Sequence, residues 1–251
     1  MSSSASGLKQ RPSGSSSGRR SRSPATRSSP SNCLYPRLDA NNELYRGADQ
    51  EESDEQLCTD DSSFSNEEYR KRMGRLLKEK YPFEKSNTRN VLRLLGEKWI
   101  DKEPMEPYTL LIAGSKAKEF ADDIIAVFTE VRQRGEVDTI ACNEKKERYQ
   151  LDIEINTSLS KRSNTVILND IDRLRGDAPL SLHTLCDPDH SSHPTALVIL
   201  TVTRQDMEPY PLCEQRLSNL FLEEWQTGFM DEDKISPILS RITSYIICLE
   251  G

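Results

Sequence analysis

The chain has 251 residues, a hydrophobic fraction of 35%, a charged fraction of 30% and a formal net charge of −7. No stretch approaches the ~18 consecutive apolar residues of a membrane helix, and no apolar leader marks a secretory signal. Taken literally, this describes a soluble protein of the cytosol or nucleus, and the acidic balance argues against nucleic acid as its partner.

Residues 1–64 read as a disordered tail. The first 32 are mostly Ser, Arg, Pro and Gly, with Arg19, Arg20, Arg22 and Arg27 and no acid, too polar to offset the entropy of ordering. An acidic block over 39–61 follows, with Glu51, Glu52, Asp54, Glu55, Asp60 and Asp61. Ser23 and Ser29 each precede a proline, so the tail reads either as a solvated arm or as a phosphoregulated docking arm.

Residues 65–104 form a helical lead-in. Ser65-Asn66-Glu67-Glu68 has the form of a capping box, and Tyr69, Met73, Leu76 and Leu77 repeat at helical spacing before Pro82. A second helix over 87–100 puts Val91, Leu92, Leu95 and Trp99 on one stripe. Both helices are expected to pack on the following domain or to form a stalk.

From 105 to 251 strands alternate with helices. Strands are predicted at 108–113, 137–142, 164–168, 195–202 and 244–249. Helices are predicted at 116–134, 149–159, 212–225 and 235–242, the first burying Phe120, Ile124, Ile125, Val127, Phe128 and Val131. Near-continuous Val, Ile and Leu runs separated by helices indicate parallel strands covered on both faces. The fold class is therefore α/β, an open, mainly parallel sheet of about five strands flanked by helices.

Nucleotide chemistry is tested at two places. The turn after the first strand reads Ala113-Gly114-Ser115-Lys116-Ala117-Lys118-Glu119, and a phosphate loop would need GxxxxGK[ST]. Glu119 stands five residues after Gly114, where a carboxylate would repel phosphate. The third strand ends Thr165-Val166-Ile167-Leu168-Asn169-Asp170, like a magnesium-holding ATPase strand, but Ile171 follows where the catalytic glutamate belongs. Asp170 and Asp172 then read as loop or capping acids, and no cofactor is expected.

His183, Cys186, His190 and His193 have spacing that zinc accepts. Asp187-Pro188-Asp189 and His193-Pro194 mark an irregular exposed loop instead, so no metal is assigned. Asn156-Thr157-Ser158 is a formal glycosylation triplet inside a predicted helix. The six cysteines, Cys33, Cys58, Cys142, Cys186, Cys213 and Cys248, lie far apart without CxxC pairs. They read as reduced, mostly buried thiols; oxidation of one pair in a luminal compartment stays open, with the spacing choosing none.

Three stretches, in order, carry a resemblance. The first is Arg75-Leu76-Leu77-Lys78-Glu79-Lys80-Tyr81-Pro82 with Glu106-Pro107-Tyr108-Thr109-Leu110-Leu111-Ile112. The second is Cys186-Asp187 with Ala196-Leu197-Val198-Ile199-Leu200-Thr201-Val202. The third runs from Asp231 to Lys234 and then through Leu239-Ser240-Arg241-Ile242. From about Tyr69 to Ile247 the chain resembles the torsin-interacting proteins, the lamina-associated polypeptide type of the nuclear envelope and endoplasmic reticulum.

The resemblance implies a degenerate AAA+-like domain that is no enzyme itself. Such a domain binds a torsin AAA+ ATPase and stimulates it by donating an arginine finger in trans, and the matching position is Arg241. A guanidinium is always protonated and grips phosphate oxygens bidentately, and a finger supplied in trans is worth about 10³–10⁵ in turnover. The alternative is a noncatalytic scaffold of the nuclear envelope or endoplasmic reticulum, whose tail recruits nuclear lamina components. Without the resemblance, Arg241 reads as a helix-terminal arginine complementing the dipole. One departure stands: family members carry a membrane-spanning helix just before this domain, and no apolar run precedes Tyr69 here.

Overall fold

The structure is a computed structural model that describes residues 61–84, 86–100, 104–132, 135–161 and 163–249, with side chains from residue 66 onward. The readings made on the tail fall outside these residues: the serines and arginines of the first 32, the acidic block up to Asp60, Cys33, Cys58 and the lamina-recruiting role.

Five strands form one sheet: β1 (Tyr108–Ala113), β2 (Asp138–Ala141), β3 (Thr165–Asn169), β4 (Leu197–Val202) and β5 (Ile246–Cys248). Their order is β2-β3-β4-β1-β5 and every pair is parallel. Tyr108 stands opposite Leu197 and Ala113 opposite Val202, so the two central strands run in register for their whole length. β5 is added to the far side of β1, with Leu111 opposite Ile246 and Ala113 opposite Cys248. The continuous apolar runs of β1 and β4 follow from this placement, because a central strand with helices on both faces offers no side to water.

Alternation along β1 feeds two cores. Leu111 and Ala113 point into one, with α4 (Arg148–Leu159), α5 (Leu180–Leu185), α6 (Leu212–Trp225) and α7 (Glu232–Ile242). Leu110 and Ile112 point into the other, against α1 (Asp61–Lys80), α2 (Ser86–Trp99) and α3 (Ala117–Arg132). Phe120, Ile124, Ile125, Val127 and Phe128 are buried as α3's periodicity predicts, and Val131 is partly buried beside them.

The lead-in helices pack on the domain and do not form a stalk. Tyr69 and Trp99 both lie against Phe128, with ring centroids 5.0 and 5.5 Å apart. Tyr81 meets Phe120 edge-on at 4.7 Å, and its hydroxyl donates to Asp123 at 2.8 Å.

One expectation fails here. α1 starts at Asp61, so Ser65 is an interior helical residue and not an N-cap. The run from Asp61 to Glu68 holds no Gly or Pro to stop the helix, and Glu68 pairs forward with Arg72 at 2.6 Å instead of reaching back. The short α5 and a 3₁₀ turn over Ile171–Arg173 also went unforeseen. Leu180 and Leu182 are flanked by Pro179, Ser181, His183 and Thr184, too brief and polar a stretch to show a period.

Candidate functional site

In a parallel sheet, ligands lie beyond the carboxyl ends of the strands where the order reverses. Here β1 sends its chain toward β2 on one side and β4 sends its chain toward β5 on the other. A cleft of about 420 Å³ opens at that point, lined by Lys118, Glu144, Asp170, Asp172, Arg173, Arg175, Thr203, Arg204 and Glu224.

The cleft is knitted shut by its own charges. Lys118 pairs with Asp170 at 2.5 Å, Arg204 with Asp172 at 3.2 Å and with Glu224 at 2.9 Å, and Arg175 with Glu224 at 2.5 Å. Burial pushes the Asp172 carboxyl up while the Arg204 guanidinium pulls it down, leaving it raised. A phosphate entering here would have to displace carboxylates to use Lys118, Arg175 or Arg204. Asp170 stands in the loop at the N-cap position of a 3₁₀ turn that contains Asp172, as a loop or capping acid would, but its side chain makes no cap bond; the two carboxylates pair with Lys118 and Arg204.

The turn after β1 has also been put to other use. Gly114 has φ 137°, and a Cβ on it would stand 2.9 Å from the Leu249 side chain and 3.0 Å from its carbonyl oxygen. Leu249 is held there by its own N–H donating to the Ala113 carbonyl at 2.8 Å. The glycine that suggested a phosphate loop therefore makes room for the segment after β5. The Gly114 carbonyl accepts from Ala117 N–H at 3.2 Å, closing the turn on itself. Glu119, expected to repel phosphate, is exposed and does not line the cleft.

Arg241 lies at the opposite end of the sheet. It occupies the last turn of α7, whose N-terminus is capped by Asp231 accepting from Lys234 N–H at 3.2 Å. Around it is a cleft of about 490 Å³ lined by the start of β1, the loop after α5 and the turn into β5, including Lys98, Tyr108, Asp187, Pro237 and Tyr245. The Arg241 Nη2 donates to Asp187 Oδ2 at 2.8 Å, with the two side chains 23% and 12% exposed.

Asp187 is fixed from behind. Its Oδ1 accepts from the N–H groups of Asp189 at 3.0 Å and His190 at 3.2 Å. Those backbone donors, with Arg241 adding to them, hold its carboxyl below the usual carboxylate range. The Arg241 Nη1 is buried and has no hydrogen-bond partner among the described residues. The guanidinium is thus oriented by one edge, with donors left over. Sequence reasoning named Arg241 but not its anchor, 54 residues away; the adjacent Cys186-Asp187 pair was the available signal.

The residues weighed for zinc do not converge. Cys186 is fully buried, and burial pushes its thiol up to about 12. His193 Nε2 is 2.8 Å from Asn156 Oδ1, while His190 Nδ1 lies 3.6 Å from Asp187. Asn156, the glycosylation triplet's first residue, sits in α4 as expected.

One cysteine expectation needs correction. Cys213 and Cys248 form a disulfide between the first turn of α6 and β5, their Cα atoms 6.5 Å apart. The fold lays α6 over the end of β5, which no spacing in the sequence reveals. Cys142 and Cys186 are free and buried. No helix of the described residues is long and apolar enough to cross a membrane.

No family model and no curated protein matches the chain. Among solved structures it is similar to a Saccharomyces cerevisiae Hsp104–ADP complex, with a TM-score of 0.45 and 12% identity over 75% of this chain and 37% of that one. It is also similar to a Drosophila ORC structure bound to AT-rich DNA and Cdc6, with a TM-score of 0.36 and 10% identity over 87% of this chain and 38% of that one. The chain thus spans well under half the length of either, and both likenesses are distant ones of general fold.

Proposed function

We propose that this domain is a noncatalytic, degenerate AAA+-like partner of a torsin-type ATPase, which it stimulates by presenting Arg241 to nucleotide held in the partner's site. The observation that carries the reading is the placement of Arg241 at the amino edge of the sheet. The cleft where this chain would bind its own ligand is at the carboxyl edge. A six-residue central strand separates the two, about 20 Å at ~3.3 Å per residue. An arginine so placed cannot serve its own cleft; the phosphate it grips has to come from another molecule.

Two further features support the reading. Asp187 engages one edge of the guanidinium and sets its direction, and a bidentate grip on phosphate oxygens would need the buried Nη1 to turn outward on docking. Phosphoryl transfer is promoted chiefly by positive charge placed in advance against the developing negative charge. The Cys213–Cys248 disulfide favours an oxidising compartment over the cytosol. That suits the lumen of the endoplasmic reticulum and the space it shares with the nuclear envelope, where a torsin would be met.

The test is torsin ATP turnover with the full chain added, wild type beside Arg241→Ala and Arg241→Lys. The wild type should stimulate. Arg241→Ala should lose about 10³-fold or more of that stimulation yet still bind the torsin, and Lys should recover little, lacking the planar fork. Equal stimulation by Arg241→Ala would remove the finger and leave a scaffold that docks without activating.

A further inference from the structure

Two glycines sit in the lead-in helices, and only one is required by packing. At Gly96 in α2, a Cβ would stand 2.1 Å from the Tyr69 ring, so the close approach of α1 and α2 depends on its absence. At Gly74 in α1, a Cβ would meet nothing within 4 Å. Its φ is not in the left-handed region either. A glycine inside a helix costs about 1 kcal/mol relative to alanine, and nothing within the fold compensates for it.

What Gly74 leaves open is a groove of about 380 Å³ between α1 and α2. Its floor is apolar, and four cations stand around it: Arg70 and Lys78 from α1, Arg89 and Arg93 from α2. Arg70 and Arg93 converge on Glu97 at 2.6 and 2.8 Å, which holds both at one end. Among the described residues no carboxylate lines the groove itself.

We propose that this groove is a docking site for an acidic amphipathic helix of a partner protein, which seats one or two large apolar side chains over Gly74 while its carboxylates meet Lys78 and Arg89 on the rim. The charge on the rim selects the partner's sign. It also disfavours a second copy of this chain, whose own groove carries the same sign. A concave site between helices matches the helix-in-groove mode of recognition; a lipid surface is instead engaged by apolar side chains that protrude. The site lies on α1 and α2 and shares no lining residue with the Arg241 cleft.

The experiment uses the full chain and two fluorescent helical peptides with the same leucine pattern, one flanked by glutamates and one by lysines. Anionic phosphatidylserine vesicles are a third probe. The acidic peptide should bind saturably, the lysine peptide should not, and Gly74→Trp, which fills the groove without touching its charge, should weaken binding about tenfold or more. Lys78→Glu with Arg89→Glu, both at exposed positions, should shift the preference toward the lysine peptide and guards against a misfolded Gly74→Trp. The proposal is overturned if neither peptide binds or if Gly74→Trp binds the acidic peptide as well as wild type. Vesicle binding indifferent to Gly74 would also overturn it, in favour of a charged patch without a pocket.

Discussion

Exchanging each of those two glycines for alanine should change stability in opposite directions. Alanine gains about 1 kcal/mol over glycine in a helix interior through backbone entropy alone. At Gly74 nothing offsets that gain, so Gly74→Ala should stabilise by about 0.5–1 kcal/mol. At Gly96 the new methyl would stand 2.1, 2.6 and 2.9 Å from Tyr69 Cε1, Cδ1 and Cζ, where carbon atoms normally keep ~3.5–4.0 Å. The ring cannot simply retreat: it is 1% exposed, lies 5.0 Å from the Phe128 ring, and donates its hydroxyl to the Leu92 carbonyl at 2.8 Å.

Overpacking of this kind costs about 1–3 kcal/mol, and a buried hydrogen bond broken by the displaced ring costs about 1–3 more. Less the helical gain, Gly96→Ala should destabilise by about 1–5 kcal/mol, or about 2–4 °C of Tm for each kcal/mol in a domain of this size. Urea denaturation of the two variants, and of Gly96→Ala in a Tyr69→Leu background, decides the matter. In that background the penalty should vanish, because the ring that meets the methyl is gone. A Gly96→Ala protein as stable as wild type, or a penalty that persists without Tyr69, would refute the packing argument.

Three other outcomes follow from the same geometry. Reducing the Cys213–Cys248 bond, or replacing both cysteines by serine, frees a loop spanning 35 residues; chain entropy puts the loss of stability at about 3–4 kcal/mol, measurable as a lower urea midpoint. Burial holds the thiols of Cys142 and Cys186 up at about 12; iodoacetamide at neutral pH should therefore leave both unmodified in the native protein and label both in denaturant, as read by peptide mass mapping. The Asp187 carboxyl is depressed in the folded protein, so its contribution is present above the unfolded value of about 3.9 and is lost as pH falls through the lower folded value. Asp187→Asn should flatten the acid arm of the stability curve, and an unchanged acid arm would mean that Asp187 contributes nothing there.

How much of this could be read from the sequence depended on whether the cause was local. β1 and α6 were bounded to the residue, because apolar runs and helical periods are written over neighbouring positions. The boundaries of α3 shifted by one or two residues at each end, and α4 and β4 shifted by one and two residues at their starts alone. The failures share another cause. The Asp187 anchor of Arg241 lies 54 residues from it, and the Cys213–Cys248 pair is 35 apart; both contacts exist only once the sheet is assembled. The sequence was enough to reject Gly114 as a phosphate-loop glycine but not to say what it is for, because its constraint, Leu249, comes from the other end of the domain. The charge network over Lys118, Asp170, Arg204 and Glu224 likewise joins four separate segments.

The position of β5 has a consequence for how the molecule is made. Its three residues pair only with β1, which is translated about 130 residues earlier, and the segment just after it fills the space beside Gly114. During synthesis β1 therefore waits with one edge unpaired until β5 has been made. Arg241 emerges only just before that strand. A chain released early would lack the strand that closes the sheet and, cut a few residues sooner, the arginine as well. Closure of the sheet and arrival of Arg241 are thus tied together in time, the strand following the arginine by only a few residues.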